Sequence, residues 1–286
     1  MNTVKTAIGL TALTLLFLFL GQIYGGRSGM TIALLFALLM NGGAYFFSDR
    51  IAIASSGAQP VSREQAPRLY QIVERLAAKA QLPAMPKLFV IPEQAPNAFA
   101  TGRNPNHASV AVTAGLLQLM NDDEIEGVLA HELSHVRNYD ILTSSIAATL
   151  AGAITWIAQM GRFAMFFGIG GSRDDDDRGS SPLVALLMLF LAPLAAGLLQ
   201  LMISRKREFQ ADASAARIVG HPYGLISALE KLGAYNKRIP MAATPSTAPL
   251  YIVAPFTGGE IFSRLFSTHP PLEERIAILR SMVIAR

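Results

Sequence analysis

The strongest constraint on this chain is the spacing of its charges. Lys5 and Arg27 are separated by 21 residues without a charged side chain, Arg27 and Asp49 by 21, Asp140 and Arg162 by 21, and Arg178 and Arg205 by 26. A helix needs about 20 predominantly apolar residues to cross the hydrocarbon core of a bilayer. All four stretches are long enough. Charged residues make up only 15% of the chain, against about 25% in ordinary globular domains, so the deficit is gathered into these segments. A disordered chain is excluded by the same apolar excess. The fold expected is an α-helical integral membrane protein with four transmembrane helices and a polar domain.

Other readings of single stretches exist. The first could be a signal peptide, but its run from Leu15 to Leu20 is long, no small-residue cleavage site stands out, and a second span follows at once. The third carries Thr143, Ser144 and Ser145 and the fourth Pro193, so either could be the buried core helix of a soluble enzyme. Orientation follows from the basic residues flanking the spans. With both termini cytoplasmic, the inner flanks hold Lys5, Arg50, Arg63, Arg68, Arg137, Arg205, Lys206, Arg207 and Arg217, and the outer flanks only Arg27, Arg162, Arg173 and Arg178. The excess inside favours that orientation and puts the acidic run Asp174–Asp177 in an outer, solvated loop. The net charge of +4 is thereby read as membrane anchoring. No basic stripe with interleaved aromatics is present to suggest a nucleic-acid partner.

The spans divide the chain into residues 1–49 (two N-terminal membrane helices), 50–140, 141–204 (a membrane hairpin) and 205–286. The second and fourth parts lie on one side and are read as one cytoplasmic domain split by the hairpin. Ser62–Ala80 has helical spacing, with Leu69, Ile72, Val73 and Leu76 on one face. Lys87–Ile91, between Pro86 and Pro92, predicts a strand, and Asn97–Thr101 with Ala108–Thr113 predict a hairpin around Asn104-Pro105-Asn106. Asn121 followed by Glu124 predicts a capping box opening a helix whose apolar stripe is Ile125, Val128, Leu129, Leu133 and Val136. Lys237–Phe262, with four prolines, predicts a long loop.

That capped helix carries His131-Glu132-Leu133-Ser134-His135. Residues four apart share a helix face, so the two imidazoles can converge on one metal ion while Glu132 stays free as a general base. With five histidines in the chain, composition alone would produce this motif with a chance of roughly 0.003, low enough to give it weight. A hydrolytic zinc site wants three protein ligands and one open position. The chain has no cysteine, which excludes thiolate ligands and a cysteine nucleophile. Asn138 and Ile141 stand where an extended motif would have its glycine and third histidine. The candidate third ligand is Glu208, just after the fourth span. Asp212, four residues on, could accept a hydrogen bond from the distal nitrogen of a ligating histidine and fix its tautomer. Solvated carboxylates paired with Arg205 or Arg207 are the bland alternative. The membrane hairpin would return both ligand helices to one bilayer face. His269, in Thr268-His269-Pro270-Pro271, and Arg275 are candidate donors to a developing oxyanion; His107 and His221 are read as surface residues.

His131–His135, Glu208–Asp212 preceded by Ser204-Arg205, Asn97-Ala98-Phe99-Ala100 and His269-Pro270-Pro271 resemble the HtpX family of bacterial membrane zinc proteases, related to the CAAX prenyl endopeptidases of eukaryotes. The resemblance covers essentially the whole chain, with an intact Glu132. It implies a zincin-like α+β metalloprotease domain with one Zn2+ ion, on the cytoplasmic side of a multi-pass protein of the bacterial inner membrane. It also implies that Asn97, Ala98, Phe99 and Ala100 pair with substrate as an added β-strand and that His269 and Arg275, six residues apart, line the site. The expected role is heat-shock or envelope-stress quality control. Its partners would be unfolded or damaged membrane proteins, the lipid bilayer and other quality-control proteases. The competing reading is a zinc-bound membrane scaffold or chaperone that holds such proteins without cutting them. A transporter is disfavoured because the charge-free spans offer no proton or ion relay.

Overall fold

Ala108–Thr113 (ASVAVT) lacks the apolar–polar alternation of a half-exposed strand, the pattern expected of one covered on both faces. All six residues are buried, and the strand is internal to the sheet. The structure is a computed structural model that describes residues 2–149, 205–236, 250–252 and 270–282. Spans three and four beyond residue 149, most of the loop 237–262, and His269 lie outside the described residues.

Four strands, β1 (Gln59–Pro60), β2 (Lys87–Ile91), β3 (Ala98–Gly102) and β4 (Ala108–Thr113), lie in the order β1-β2-β4-β3. β3 and β4 form the expected antiparallel hairpin, with Ala100 opposite Val110. Its turn is a short 3₁₀ segment, Pro105–His107, started by the Asn104 side chain, which accepts from the Asn106 backbone N–H. Gly102 ends β3 at φ 143°, and a Cβ there would fall 2.3 Å from the His107 carbonyl oxygen, so only glycine suits the position. β2 runs parallel to β4, with Phe89 opposite Ala111. That pairing inserts β4 between β2 and β3 and leaves β3 at the sheet's edge.

Helix α2 (Pro67–Lys79) starts later than the apolar spacing suggests because Pro67 occupies its first turn, where a missing N–H costs nothing. It buries Leu69, Ile72, Val73 and Leu76 as expected. After the short α3 (Ala114–Leu119) comes α4 (Asp122–Arg137). The Asn121/Glu124 capping box closes both ways: Asn121 Oδ1 accepts from Glu124 N at 3.0 Å, and Glu124 Oε2 accepts from Asn121 N at 2.9 Å. Such a cap is worth about 1 kcal/mol. Every residue from Glu124 to Ser134 is buried, so α4 is the central helix rather than a surface one. It is surrounded by β3, α2, α5 (Arg205–Val219) and α6 (Tyr223–Asn236), while α7 (Leu272–Ser281) packs on α5 and α6. This mixed α+β arrangement makes residues on either side of the expected hairpin parts of one core.

The 54 residues of α1 (Asn2–Ser55) fold back at Gly26 (φ 55°, ψ −139°). Its two arms touch: Asn41 Nδ2 donates to Thr14 Oγ1 at 2.8 Å, and the Phe17 and Phe36 rings meet edge to face at 5.2 Å. Leu15, Phe19, Leu35, Leu39 and Phe46 point outward. Among the described residues, Gly25–Ser55 is the stretch long and apolar enough to cross a membrane, and only 11% of its most apolar window is buried. A soluble core helix would be covered. Residues 140–149 are helical and fasten to both parts of the molecule: Thr143 Oγ1 lies 3.0 Å from Thr6 Oγ1 of α1, and Ser145 Oγ 2.6 Å from Thr101 Oγ1 of β3.

Candidate active site

One helical turn separates His131 from His135 on α4, and their rings face the first turn of α5, where Glu208 sits. The two Nε2 atoms are 3.2 Å apart. Glu208 Oε2 is 3.6 Å from His131 Nε2, and Oε1 is 3.5 Å from His135 Nε2. One ligand atom from each of the three side chains can be chosen so that all lie within 4.8 Å of one another. Tetrahedral ligands about 2.05 Å from a zinc ion lie about 3.3 Å apart, so the spacing suits such an ion.

The hydrogen bonds explain why these groups converge. His131 Nδ1 is 2.8 Å from Asp212 Oδ1, and His135 Nδ1 is 3.2 Å from Asp140 Oδ2. Each Nδ1 therefore donates to a carboxylate, and each Nε2 presents a lone pair. Two lone pairs and a carboxylate pointed at one spot repel unless a cation holds them together. The protonation of His131 reports the same demand: burial pulls its imidazolium down, but the hydrogen bond and charge of Asp212, with help from Glu208, hold it up to about 9. Without a metal, a proton supplies the positive charge. The residues present fit a divalent ion with nitrogen and oxygen ligands.

Asp212 in turn is gripped by Arg275, whose Nε donates to Oδ2 at 2.8 Å and whose second terminal nitrogen donates to Oδ1 at 2.7 Å. Burial pushes the Asp212 carboxyl up, but this arginine outweighs it and holds the group down at about 2. The remaining Arg275 nitrogen donates to the Ile252 carbonyl at 3.0 Å. The 3.4 Å approach of Arg275 Nη2, the nitrogen that also bonds Asp212 Oδ1, to His131 Nδ1 joins two donors and is a contact, not a bond. Arg275 was expected beside His269 as a donor to an oxyanion. Instead its guanidinium is fully buried behind Asp212 and against the Nδ1 side of His131, so it supports the site from behind. His269 lies outside the described residues.

Glu132 is buried, and its Oε2 accepts from the Ala100 backbone N–H of β3 at 2.8 Å. Burial raises its pKa, while the charges of His131 and His135 pull the other way. Asn97, Ala98, Phe99 and Ala100 are all buried. Ala98 O accepts from Ile252 N at 3.1 Å, and Tyr251 packs edge to face on Phe99 at 5.4 Å. Two residues gave no sequence signal. Asp140 is five residues from His135, off its helix face, and reaches it because α4 ends at Arg137 and Tyr139 adopts φ 60°. Ile252 stands in a segment that reads only as loop.

The pattern of peptidase family M48 matches residues 63–283 of the chain. A protease HtpX homolog of Desulforapulum autotrophicum (strain ATCC 43914 / DSM 3382 / VKM B-1955 / HRM2) is 54% identical over 280 residues, covering 98% of this chain and 89% of its own length. One from Methylibium petroleiphilum (strain ATCC BAA-1232 / LMG 22953 / PM1) is 50% identical over 288 residues, covering 100% and 99%. The crystal structure of S. mikatae Ste24p superposes with a TM-score of 0.51 at 24% identity, covering 97% of this chain and 64% of that one; this is a likeness of fold. With the His131–Glu132–His135 helix inside the matched region, the chain belongs to peptidase family M48 and is a metalloprotease.

Proposed function

We propose that this protein is a zinc-dependent endopeptidase of the bacterial inner membrane. It cleaves misfolded or damaged membrane proteins on the cytoplasmic side, in stress-linked quality control. The observation that carries the reading is the largely buried cluster, among the described residues, in which His131, His135 and Glu208 converge beside a non-ligating Glu132. A zinc ion held by those three residues would supply a Lewis acid that polarises a peptide carbonyl and makes water acidic. Glu132, with its raised pKa, takes the proton from the attacking water and delivers it to the leaving amine. Asp212 and Arg275 keep His131 in the tautomer that presents Nε2. A substrate strand added at the β3 edge would take the Ala98 oxygen from Ile252 and the Ala100 N–H from Glu132, freeing the carboxylate for its task.

The zincin-like arrangement, the four spans and the cytoplasmic site belong to the same proposal. The outward apolar face of α1 supports membrane insertion. The test is metal removal from the full chain in detergent. Chelation should abolish cleavage of unfolded casein and zinc should restore it; undiminished cleavage by metal-free protein would sink the reading. Topology is checked separately. Because the chain has no cysteine, Asp175→Cys gives one label site, which should react from the outer face only. Labelling from the cytoplasmic side would reverse the orientation.

A further inference from the structure

His131 and His135 are held by two similar assemblies, an aspartate on Nδ1 with an arginine behind it. The first, Asp212 with Arg275, comes from within the polar domain. The second comes from the segments on either side of the proposed hairpin, Asp140 before the third charge-free stretch and Arg207 just after the fourth. Asp140 Oδ2 is 3.2 Å from His135 Nδ1, and Arg207 donates to Asp140 Oδ1 at 3.1 Å. Asp140 is buried and the Arg207 side chain is only 11% exposed, so this pair is shielded from the solvent that makes surface ion pairs weak.

We propose that Asp140 is a positioning residue of the metal site, orienting His135 directly and tying the Glu208 helix to it through Arg207. The inference rests on the metal-site reading above. Arg207 directly precedes Glu208 on α5, so an anchored Arg207 fixes the turn that carries the third ligand. Asp140 is itself fixed. It follows the tight turn at Tyr139 and opens the helical residues 140–149, which Thr143 and Ser145 pin to α1 and β3. A carboxylate suits the position, because His135 Nδ1 and Arg207 are both donors to it. Asparagine offers one acceptor oxygen and turns an NH2 group toward the other donor. The polar residues flanking the proposed membrane hairpin thus do more than set its orientation: Asp140 and Arg207 join the segments on either side of it to two different metal ligands.

The experiment measures zinc affinity of the detergent-purified full chain by chelator competition, with the absorption spectrum of the cobalt-loaded protein alongside. Asp140→Asn should bind zinc about 10–100-fold more weakly than wild type, with an altered cobalt spectrum. Arg207→Ala should weaken it in the same direction. Arg63→Ala, which removes an exposed arginine paired with Glu74, should change neither. Wild-type affinity and spectrum in Asp140→Asn would overturn the proposal while leaving the metal site standing. Failure of the wild type to bind zinc would remove both. If Asp140→Asn does not fold, Arg207→Ala decides: weakened affinity supports the proposal, and unchanged affinity overturns it.

Discussion

Replacing Arg275 with methionine is expected to destabilise the folded protein by about 3–5 kcal/mol, the usual cost of stranding one partner of a buried ion pair. For a folded unit of this size that corresponds to a fall in melting temperature of roughly 6–20 °C. The side chain is fully buried and makes a two-pronged bond to Asp212, itself 1% exposed. Methionine keeps much of the volume but strips the buried Asp212 carboxylate of both guanidinium hydrogen bonds, leaving His131 as its remaining cationic partner. The consequence depends on pH, and its sign follows from the depressed carboxyl. A group held at about 2 contributes stability that is present above its unfolded value near 3.9 and lost as pH falls through 2. The variant should therefore lack that contribution at neutral pH, where the wild type has it in full, and the gap between them should narrow as pH falls from about 4 toward 2. Arg275→Lys should fall between, since an ammonium supplies charge without the planar fork. Thermal unfolding of both variants without added metal checks this. A methionine variant that melts within 2 °C of the wild type would mean the pair contributes little.

The local parts of this site could be read from the sequence, and the non-local parts could not. The capping box at Asn121 and Glu124, the bounds of β2 and the apolar stripe of α4 depend on residues within a few positions of one another, and each stands where the sequence puts it. So does the turn-to-turn pairing of His131 with His135. Asp212 was foreseen as a partner of a ligating histidine because Glu208 and Asp212 share one helix face, and it meets His131. The parallel pairing of β2 with β4 was not foreseen, because nothing in either strand names its neighbour. That pairing puts β3 at the edge, within reach of Glu132. Asp140 was hidden for a different reason: its contact depends on a positive φ at Tyr139, a conformation that only a packed environment enforces on a non-glycine residue. The approach of α4 to α6 is likewise a tertiary fact. It requires Gly127, where a Cβ would lie 2.5 Å from the backbone nitrogen of Leu225.

In the proposed mechanism Glu132 moves the proton, and its isosteric replacement is the other large effect. Glutamine keeps an oxygen for the Ala100 N–H, fills the same volume and takes no ligand from the metal, because Glu132 is not among the converging three. It removes only the ability to accept and return a proton. Buried general bases of this kind contribute about 10²–10⁴-fold to rate, so Glu132→Gln should fall to between one hundredth and one ten-thousandth of wild-type activity with its zinc content unchanged. The direct measurement is the initial rate of casein cleavage by wild type and Glu132→Gln at matched zinc occupancy, both as full chain in detergent. A metalloendopeptidase predicts rapid cleavage by the first and near-complete loss in the second. Equal rates would take the proton-transfer role from Glu132, and two zinc-loaded proteins that both leave casein intact would contradict peptide hydrolysis at this site and favour a non-cutting scaffold.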